Sequence, residues 1–467
     1  RPVSLDHNVF LAAEVYKASA LKNLQKTVQR LKRRGAHYDR ERDAHQVVMH
    51  LMKHRRLPCL FFCFSRKECE GRAKSLRNFR FLEGGEGEEI TRLFDAAVAR
   101  LALDPRSETV TDMRQLVRRG IAFHHAGLLP GIKDVVEQMF ATGLIKLLVA
   151  TETFALGVNM PAASVVFAGV KKFDGVRLDW METREYTQMA GRAGRRGMDT
   201  SGTVMVLLEP RDHEPRALKH LFSEQVEPLV SSFNLSYGSI CNLLGRVGGR
   251  IGETLEKSFA VHAGGRSREK MLEKMRRVLD ARIRVLHRFR YLEKGELTEK
   301  GAMARLINGF EVYGCEWVFS NKLHELSDED LAVLFMAGVY EERRNDWIKG
   351  TDWEYIKRRF APFIASDELW RGAEVAEGLD PIKGLDFGFT RAVLHWYHGG
   401  AFEDFKDLCS SSEGDIVRHF LLCCQFLRQL SHVVEDPVLA ERFKTVRSKL
   451  FRDVMDAETN LRRSCEA

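Results

Sequence analysis

The chain has 467 residues, of which 44% are hydrophobic and 30% charged, so it is long enough for about three domains with buried cores. A net charge of +8 and a pI near 9 indicate a modest bias toward polyanionic partners, although a surface with spare lysines gives the same total. The longest apolar runs, such as CLFFCF, are too short to span a membrane, and no signal peptide opens the chain. No membrane partner is therefore predicted.

The nine cysteines are scattered, with no C-x-x-C pair and no His/Cys cluster at zinc spacing, so no metal site is predicted. In a chain without a secretion signal they indicate reduced, buried side chains. We therefore expect a cytoplasmic protein, with a nuclear or organellar location as the alternative. Because the first residue is Arg1 rather than Met, we also expect the chain to be cut from something longer.

The first half of the chain alternates predicted strands with predicted helices. An opening strand lies in RPVSLDHNVF, and Ser65-Arg66-Lys67-Glu68 has the pattern of a capping box that begins a helix. Alternating strands and helices indicate a parallel sheet with helices on both faces, and such sheets bind ligands beyond the carboxyl ends of their strands. The other predicted strands are 57–64, 145–151, 163–169 and 202–209, and the predicted helices are 87–104, 110–119, 131–142 and 182–196.

From about residue 228 the strands nearly vanish. The stretch VLHRFRYLEKGELTEKGAMARL reads as helix, strand, tight glycine turn and strand, the signature of a small winged helix. Farther on, Ser412-Glu413-Gly414-Asp415 resembles a capping box that opens a long helix over 412–432. The sequence therefore predicts an α/β domain over 1–227, a winged helix over 228–302 and an all-α helical bundle over 303–467.

The stretch QMAGRAGRRG (188–197) places arginines and glycines together. If 183–196 is one helix, then Gln188, Arg192 and Arg195 are spaced i, i+4, i+7 and share one face, beside which the glycines let another surface approach. Forked guanidinium groups match phosphate oxygens and stabilise the charge that develops during phosphoryl transfer. The alternative is a basic, solvated last turn favoured by the helix dipole, which a glycine-free helix would serve better.

Four motifs in order carry a resemblance to the superfamily 2 DExH-box helicases. QMAGRAGRRG is similar to their motif VI (Q-x-x-G-R-x-G-R), VATETFALGVNMPA to motif V, GIAFHHAGLLPGIKDVVEQMF to motif IVa and FCFSRKECE to motif IV. The closest resemblance is to the superkiller and exosome-assisting RNA helicases. It is carried by the sequence VRLDWMETREYTQMAGRAGRRGMD and by that of the C-terminal region. The resemblance covers essentially the whole chain. It implies that 1–227 is a second RecA-like domain and that the chain is an arch-less form, because SFAVHAGGRSREKM passes through the place of the arch.

The resemblance also implies roles for individual residues at a nucleotide. Motif VI of this family supplies arginine fingers to the ATP γ-phosphate, a catalytic role that falls on Arg192 and Arg195, with Gln188 supporting the site. Motif V would place Gly157 and Asn159 at the nucleotide cleft, on the path between ATP and RNA.

Polar residues that follow the predicted strands are candidates for contact with a nucleic-acid backbone. Thr151, Glu152 and Thr153 end a strand, and their hydroxyl and backbone N–H groups suit phosphates, with a capped helix start as the alternative. The resemblance adds Ser65 and Arg66 to this group, although Ser65 would be needed as a helix cap in any case.

The pair His124-His125 precedes a Gly-Leu-Leu-Pro turn. Because no third ligand sits nearby, contact of His125 with an RNA backbone or local hydrogen bonding is favoured over zinc.

The segment 164–181 reads as two strands around KKFDGVR. In related helicases a β-hairpin at this place wedges the duplex apart, and Lys171, Lys172 and Phe173 would then be tip residues that offer charge to phosphates and a ring to a base. An ordinary surface hairpin is the alternative.

The helix over 412–432 resembles the family's ratchet helix, whose polar face tracks single-stranded RNA. This resemblance points to Arg418 and Gln425, while Leu422 stands where the family has a second basic residue. Trp396 fits stacking on a base and packing in a core equally well.

No G-x-x-x-x-G-K-[ST] motif occurs in the chain, and no strand ends in an Asp-Glu pair that could hold Mg²⁺. LSDEDL (326–331) looks like an acidic box, but no apolar strand precedes it and Ser327 fits a helix cap. In the resembled family the phosphate cradle and the metal carboxylates belong to the first RecA-like domain. We therefore expect half of an ATPase site, inactive by itself, for ATP with Mg²⁺ bound mainly by that domain.

The leading prediction is the C-terminal part of an ATP-dependent 3′–5′ RNA helicase that unwinds or feeds RNA for processing or degradation. Its partners would be RNA, as a single-stranded 3′ tail or a duplex, and an exonuclease or exosome-like complex, with the chain itself a monomer. The alternatives are a DNA repair helicase or translocase and a non-catalytic RNA-binding adaptor.

Overall fold

The computed structural model describes residues 3–456, except for 34–37, 102, 156–159, 174, 176, 224, 230, 232, 264–266 and 344–345. The chain divides into two compact units, one ending at Pro228 and the other spanning Leu229–Asp456. The finer division into 1–227, 228–302 and 303–467 stays a prediction. Within the described ranges, no helix is long and apolar enough to cross a bilayer.

The strands of the first unit form one large sheet and one small hairpin. They are β1 (Ser4–Leu11), β2 (Glu14–Lys17), β3 (Cys59–Phe62), β4 (Ile121–His124), β5 (Leu147–Ala150), β6 (Ser164–Phe167), β7 (Lys171–Phe173), β8 (Leu178–Trp180) and β9 (Ser201–Leu207). The large sheet has seven strands in the order β2-β1-β9-β6-β3-β5-β4, and β7 pairs with β8 outside it. All neighbours in the sheet are parallel except β1 and β2.

The helices of the first unit follow the strands along the chain. They are α1 (Leu21–Arg33), α2 (Arg40–Lys53), α3 (Arg66–Ser75), α4 (Glu86–Arg100), α5 (Glu108–Val117), α6 (Pro130–Ala141), α7 (Thr183–Ala190) and α8 (Pro215–Leu221). Strands β3, β4, β5 and β6 are buried along their whole length, as in a parallel sheet covered by helices on both faces. The predicted α/β class is therefore confirmed, and so is the helix cap at Ser65, which accepts a hydrogen bond from the Glu68 N–H at 3.1 Å.

Two strands of the sheet were not predicted. The chain reverses from β1 into β2 at Ala12 and Ala13, whose φ angles of 50° and 68° are left-handed. The buried carboxylate of Asp43 accepts a hydrogen bond from the Ala12 N–H at 3.0 Å and so holds this turn. The second is β4, a four-residue strand that lies at the edge of the sheet as far as the structure describes it and pairs there with β5.

The second unit is almost entirely helical. Its elements are α9 (Tyr237–Val247), α10 (Ile251–Glu256), α11 (Phe259–His262), α12 (Arg268–Arg288), β10 (Leu292–Glu293), β11 (Glu296–Leu297), α13 (Glu299–Ala304), α14 (Glu311–Phe319), α15 (Asp328–Val339), α16 (Trp353–Ala376), α17 (Thr390–Tyr397), α18 (Glu413–Val433) and α19 (Pro437–Leu450). Strands β10 and β11 form a two-residue hairpin that turns at Lys294 and Gly295, both with positive φ. The predicted helix–strand–turn–strand order is confirmed here, whereas the winged-helix assignment stays a prediction.

The acidic stretch LSDEDL is a helix start. Ser327 accepts a hydrogen bond from the Asp330 N–H at 3.2 Å, and the Asp330 carboxylate accepts one from the Ser327 N–H at 3.0 Å. Asp330 also accepts a hydrogen bond from Arg359 at 2.6 Å. This reciprocal cap confirms the preferred interpretation, because it commits the Asp330 carboxylate to the helix end and to Arg359.

Candidate functional site

Three of the predicted contact segments follow neighbouring strands. Ser65 and Arg66 follow β3, Thr151 follows β5, and His125 follows β4. Because β3, β5 and β4 are adjacent and parallel, these segments meet at one carboxyl edge of the sheet, where ligands of parallel sheets bind. Ser65 is exposed and Arg66 is half-buried, with its side chain packed against Gly127.

The segment after β5 is a short 3₁₀ turn, Glu152–Ala155, here called the motif V turn. The Thr151 N–H donates to the His124 carbonyl at 3.1 Å, and the Thr151 and Thr153 hydroxyls lie 3.0 Å apart. Thr151 is largely buried, whereas Glu152 and Thr153 are exposed. The role of the three residues in nucleic-acid contact stays a prediction.

His125 is held inside the unit. Its side chain is 3% exposed, its Nδ1 accepts a hydrogen bond from the Gly127 N–H at 3.1 Å, and its Nε2 lies 3.0 Å from a Glu70 carboxylate oxygen. The predicted contact of His125 with an RNA backbone is therefore wrong, because a buried ring cannot reach a phosphate, and local bonding is what the structure has. Its neighbour His124 is also buried, and burial lowers the pKa of His124 to about 3.

The QMAGRAGRRG stretch is a helix end followed by a loop, and the predicted single helix over 182–196 is wrong. Helix α7 ends at Ala190, and residues 191–200 form the arginine loop. The Ala162 N–H donates to the Arg192 carbonyl at 2.9 Å, and the Gly194 N–H donates to the Ala162 carbonyl at 2.7 Å. These bonds form a parallel β-bridge that pairs backbone groups a helix would need for itself.

The glycines let the arginine loop pack directly on the sheet of its own unit. Gly194 has a φ of +87°, and a Cβ placed on it would lie 2.5 Å from the Val3 Cγ1 atom. A Cβ on Gly202, in β9, would lie 2.6 Å from the backbone of Ala193. The close approach expected from the sequence is thus made by Val3, the residue before β1, and by Gly202 in β9, and it fixes the position of the loop that carries the arginines.

Arg195 is held by a carboxylate that sequence reasoning missed. Its Nε and one terminal nitrogen donate to the two oxygens of Asp199 at 2.8 and 3.0 Å, and its backbone N–H donates to Asp199 at 2.8 Å. These hydrogen bonds raise the pKa of Arg195 and lower the pKa of Asp199. A guanidinium carries five N–H donors, and the Asp199 side chain uses two of those on Arg195. With its side chain 26% exposed, Arg195 is oriented by Asp199 and still accessible.

Arg192 and Gln188 do not share a stripe with Arg195. Arg192 is half-buried and donates a hydrogen bond to the carbonyl of Ala155, at the end of the motif V turn. Gln188 is exposed on the last turn of α7. The structure therefore joins the arginine loop to the motif V turn, although Gly157 and Asn159 lie outside the described residues.

The predicted hairpin exists as β7 and β8, but all three predicted tip residues lie on its first strand, β7. Lys171 lies 3.1 Å from Asp212, and Lys172 lies 2.8 Å from Glu152 and 2.5 Å from Glu185. Both lysines thus make ion pairs within the unit, and their placement at the tip is wrong. Phe173 is the last residue of β7, next to the turn, and is 62% exposed; its stacking on a base stays a prediction.

In the second unit, α18 has one exposed stripe and one buried face. The stripe contains Arg418, Leu421, Gln425 and Arg428, with the spacing of successive helical turns. Arg418 and Gln425 are therefore accessible, as predicted, and their contact with nucleic acid stays a prediction.

Trp396 is a core residue. It is 0% exposed, its Nε1–H donates to the Leu450 carbonyl at 2.8 Å, and the Arg452 guanidinium lies 3.5 Å from the ring centroid. The predicted base-stacking role of Trp396 is wrong, because the ring is enclosed by its own unit, and the alternative of core packing is confirmed.

Two domain families match the chain in the order of its two units. Residues 102–197 match the helicase conserved C-terminal domain, and residues 294–457 match the DSHCT (NUC185) domain. The first range includes the motif V turn and the arginine loop up to Gly197, and the second includes α18.

The similar proteins are named as helicases, two of the three below as RNA helicases. The chain is 41% identical over 219 residues to the ATP-dependent RNA helicase mtr4 of Schizosaccharomyces pombe, which is 46% of this chain and 19% of that protein. It is 40% identical over 220 residues to the exosome RNA helicase MTR4 of Homo sapiens, covering 46% and 20% respectively. It is 39% identical over 219 residues to the antiviral helicase SKI2 of Saccharomyces cerevisiae, covering 47% and 17%. The match thus spans about a fifth of the length of these relatives.

Proposed function

We propose that this chain, which belongs to the Ski2-like DExH-box RNA helicases and corresponds to their C-terminal region, supplies the arginine loop and part of the RNA path to an ATP-dependent 3′–5′ helicase. The observation that carries the proposal is the arginine loop itself. Arg195 is oriented by Asp199 and remains accessible, and Arg192 contacts the motif V turn. Both arginines lie within the range that matches the helicase C-terminal domain.

The arginine loop fits the terminal phosphate of a nucleotide. A planar guanidinium that already has two N–H groups fixed presents the others in a set direction, and it needs little reorganisation when negative charge develops on the phosphate. Bound ATP would supply the phosphoryl group that is transferred to water. Among the residues that the structure describes, no group of three or more His, Cys, Asp or Glu side chains could hold a metal ion, so we assign Mg²⁺ no ligand there.

The RNA path is proposed from accessible polar and aromatic residues in each unit. In the first unit these are Ser65, Arg66 and Thr153 at the carboxyl edge and Phe173 beside the hairpin turn; in the second they are Arg418 and Gln425 on α18. Phosphate contacts of this kind fix position without reading sequence, and an exposed ring can stack on any base. Since the relatives include an exosome RNA helicase, we propose an exonuclease or exosome-like complex as partner.

The proposal is tested with Arg195→Ala in the protein that carries both helicase lobes. Loss of an arginine finger costs about 10³-fold or more in the rate of hydrolysis, so RNA-stimulated ATP hydrolysis should fall by that order while RNA affinity is retained. Arg196→Ala is the matched control, because Arg196 is the next residue and is exposed. Arg195→Lys keeps the charge but loses the fork, and it should recover little activity.

The readouts separate the proposed helicase from the other functions. Equal loss of RNA binding and hydrolysis in Arg195→Ala would contradict the finger role. Stronger stimulation by DNA than by RNA would favour a DNA repair translocase, and RNA binding without hydrolysis in the unaltered protein would favour an adaptor. The 467-residue chain by itself should show no turnover, because it has no G-x-x-x-x-G-K-[ST] motif.

A further inference from the structure

We propose that Lys172 is a positioning residue that couples the arginine loop to the β7–β8 hairpin through the motif V turn. This inference rests on the proposed helicase function, in which the nucleotide phosphate is contacted by the arginine loop, together with the strand-separating role that the resemblance implies for the hairpin. It replaces the role that the sequence suggested for Lys172, contact with phosphates at a hairpin tip.

The contacts of Lys172 join three parts of the unit. The side chain comes from β7 and donates hydrogen bonds to Glu152, in the motif V turn, at 2.8 Å and to Glu185, in α7, at 2.5 Å. It is only 17% exposed, less than either of its two carboxylate partners. One ammonium group therefore links the middle of the first hairpin strand to two separate elements.

Both of these elements lead to the arginine loop. The motif V turn begins at Glu152, which Lys172 holds, and ends at Ala155, whose carbonyl accepts the hydrogen bond from Arg192. Helix α7 contains Glu185 and runs directly into the arginine loop. A displacement of Arg192 therefore reaches Lys172 by two routes, one through the turn and one through the helix.

The charge on Lys172 is needed by its partners. Burial alone would lower the pKa of Lys172, but the hydrogen bonds to Glu152 and Glu185 more than offset this and raise it. Because the two carboxylates share one ammonium group, they lie close together and would repel each other without it. Removing the charge should therefore loosen the motif V turn from α7, besides freeing the hairpin.

The same contacts argue against an RNA ligand. Lys172 would have to give up two carboxylates from a partly buried position to bind a phosphate, and each such bond to a charged group is stronger than a neutral one. A contact residue would also lower RNA affinity when removed, whereas a coupling residue would lower the work obtained from each ATP. These two outcomes can be measured separately.

The test is Lys172→Met in the protein that carries both helicase lobes. Methionine keeps the aliphatic stem and removes the ammonium group. Networks of this kind change coupling between sites by about two- to thirtyfold, so duplex unwound per ATP hydrolysed should fall about tenfold, with RNA affinity and its salt dependence retained. Lys172→Arg, which can reach both carboxylates, should recover most of that ratio.

Lys74→Met is the matched control, because Lys74 lies in α3 of the same unit and pairs with a single carboxylate, Asp112, at 2.6 Å. It should leave the ratio unchanged. Glu152→Gln combined with Lys172→Met should cost clearly less than the two single effects added, since both remove one interaction.

Four outcomes would overturn the coupling role. Two concern the duplex unwound per ATP: it is unchanged in Lys172→Met, or it falls equally in Lys74→Met. The third is that the effects of Glu152→Gln and Lys172→Met are additive, and the fourth is that Lys172→Met weakens RNA binding and reduces its salt dependence by about one phosphate contact. If Lys172→Met is too unstable to assay, the Glu185→Gln variant carries the same prediction with a weaker perturbation. Absence of RNA-stimulated hydrolysis in the unaltered protein would instead defeat the proposed function, so the two failures are distinct.

Discussion

Replacing Gly194 by alanine tests whether the arginine loop is held by backbone packing on its own sheet. The substitution meets two separate obstacles. The φ of +87° lies in a region that alanine disfavours, and the new Cβ would lie 2.5 Å from the Val3 Cγ1 atom and 3.2 Å from the Gly202 Cα atom. Gly197 has only the unfavourable φ and Gly202 has only the close contact, so the backbone effect and the packing effect can be measured separately.

The magnitudes follow from those obstacles. Gly197 has a φ of +79°, and a Cβ added to it would have no atom within 4 Å, so Gly197→Ala should cost only the left-handed backbone, about 1–2 kcal/mol. Gly202→Ala brings its Cβ to 2.6 Å from the Ala193 backbone without a positive φ, and overpacking of this kind costs about 1–3 kcal/mol. Gly194→Ala combines both and should destabilise the first unit by about 2–5 kcal/mol.

The assay is urea and thermal unfolding of the 467-residue chain, followed by circular dichroism. A loss of about 3 kcal/mol in a unit of this size lowers Tm by about 6–12 °C. Adding Val3→Ala to Gly194→Ala removes the nearest clashing atom, so the double variant should be more stable than the sum of the two single effects predicts.

The reasoning fails if Gly194→Ala and Gly197→Ala have the same stability, because packing against the sheet would then contribute nothing. It also fails if adding Val3→Ala to Gly194→Ala does not recover part of the lost stability. In the protein with both helicase lobes, Gly194→Ala should also reduce RNA-stimulated ATP hydrolysis more than Gly197→Ala, since Arg192 and Arg195 flank the displaced residue.

Two further predictions concern a helix cap and a core ring. Burial alone would raise the pKa of Glu227, but the hydrogen bonds that it accepts from the Thr183 and Arg184 N–H groups, at 2.7 and 3.2 Å, lower it to about 2. The folded-state pKa is thus depressed, so this stabilisation is present above pH 4.5 and is lost as the pH falls toward 2. Glu227→Gln should cost about 1 kcal/mol at pH 7 in urea unfolding and progressively less below pH 4.5, and a difference that is constant with pH would contradict the cap. Trp396→Phe should lose about 1–3 kcal/mol, because the Leu450 carbonyl loses its donor, with RNA affinity in a filter-binding assay unchanged; weaker RNA binding by a fully stable variant would restore the stacking role.

Local chemistry was enough to predict much of the fold. Short apolar runs such as CLFF indicate buried parallel strands, and the caps at Ser65 and Ser327 are visible as residue patterns because the bonds that make them span three residues. Strand β4 was not predicted, because its four residues, the last of which is a histidine, form a strand through pairing with β5 and not through a local sequence pattern. Strand β2 was not predicted, because the turn before it is formed by Ala12 and Ala13 in a conformation that is typical of Gly and Asn. This turn is held by a hydrogen bond to Asp43, which lies in a helix farther along the chain.

The candidate site was predictable in its residue types but not in its geometry. The spacing of Gln188, Arg192 and Arg195 fits a helix, yet the backbone of that segment pairs with Ala162, which no local pattern contains. The charge of Lys172 suggested an outward-facing residue, whereas its partners lie 20 and 13 residues away along the chain. For Arg195 a local signal did exist, since Asp199 is four residues away and acidic.

The order of strands in the large sheet constrains how the protein can be made. Among the strands of the large sheet, β1 comes first along the chain and β9 comes last, and β1 has β2 on one side and β9 on the other. The β1–β2 hairpin cannot join the sheet until β9 has been synthesised, because β9 is the strand that connects it to the rest of the sheet. The chain between β1 and β9 is long, and pairing strands that are so far apart in sequence is slow. A nascent chain that ends before Ser201 can pair β3, β4, β5 and β6, but its β1–β2 hairpin still lacks the strand beside which it pairs. Completion of the sheet and packing of Gly194 against Val3 therefore belong to the same late step.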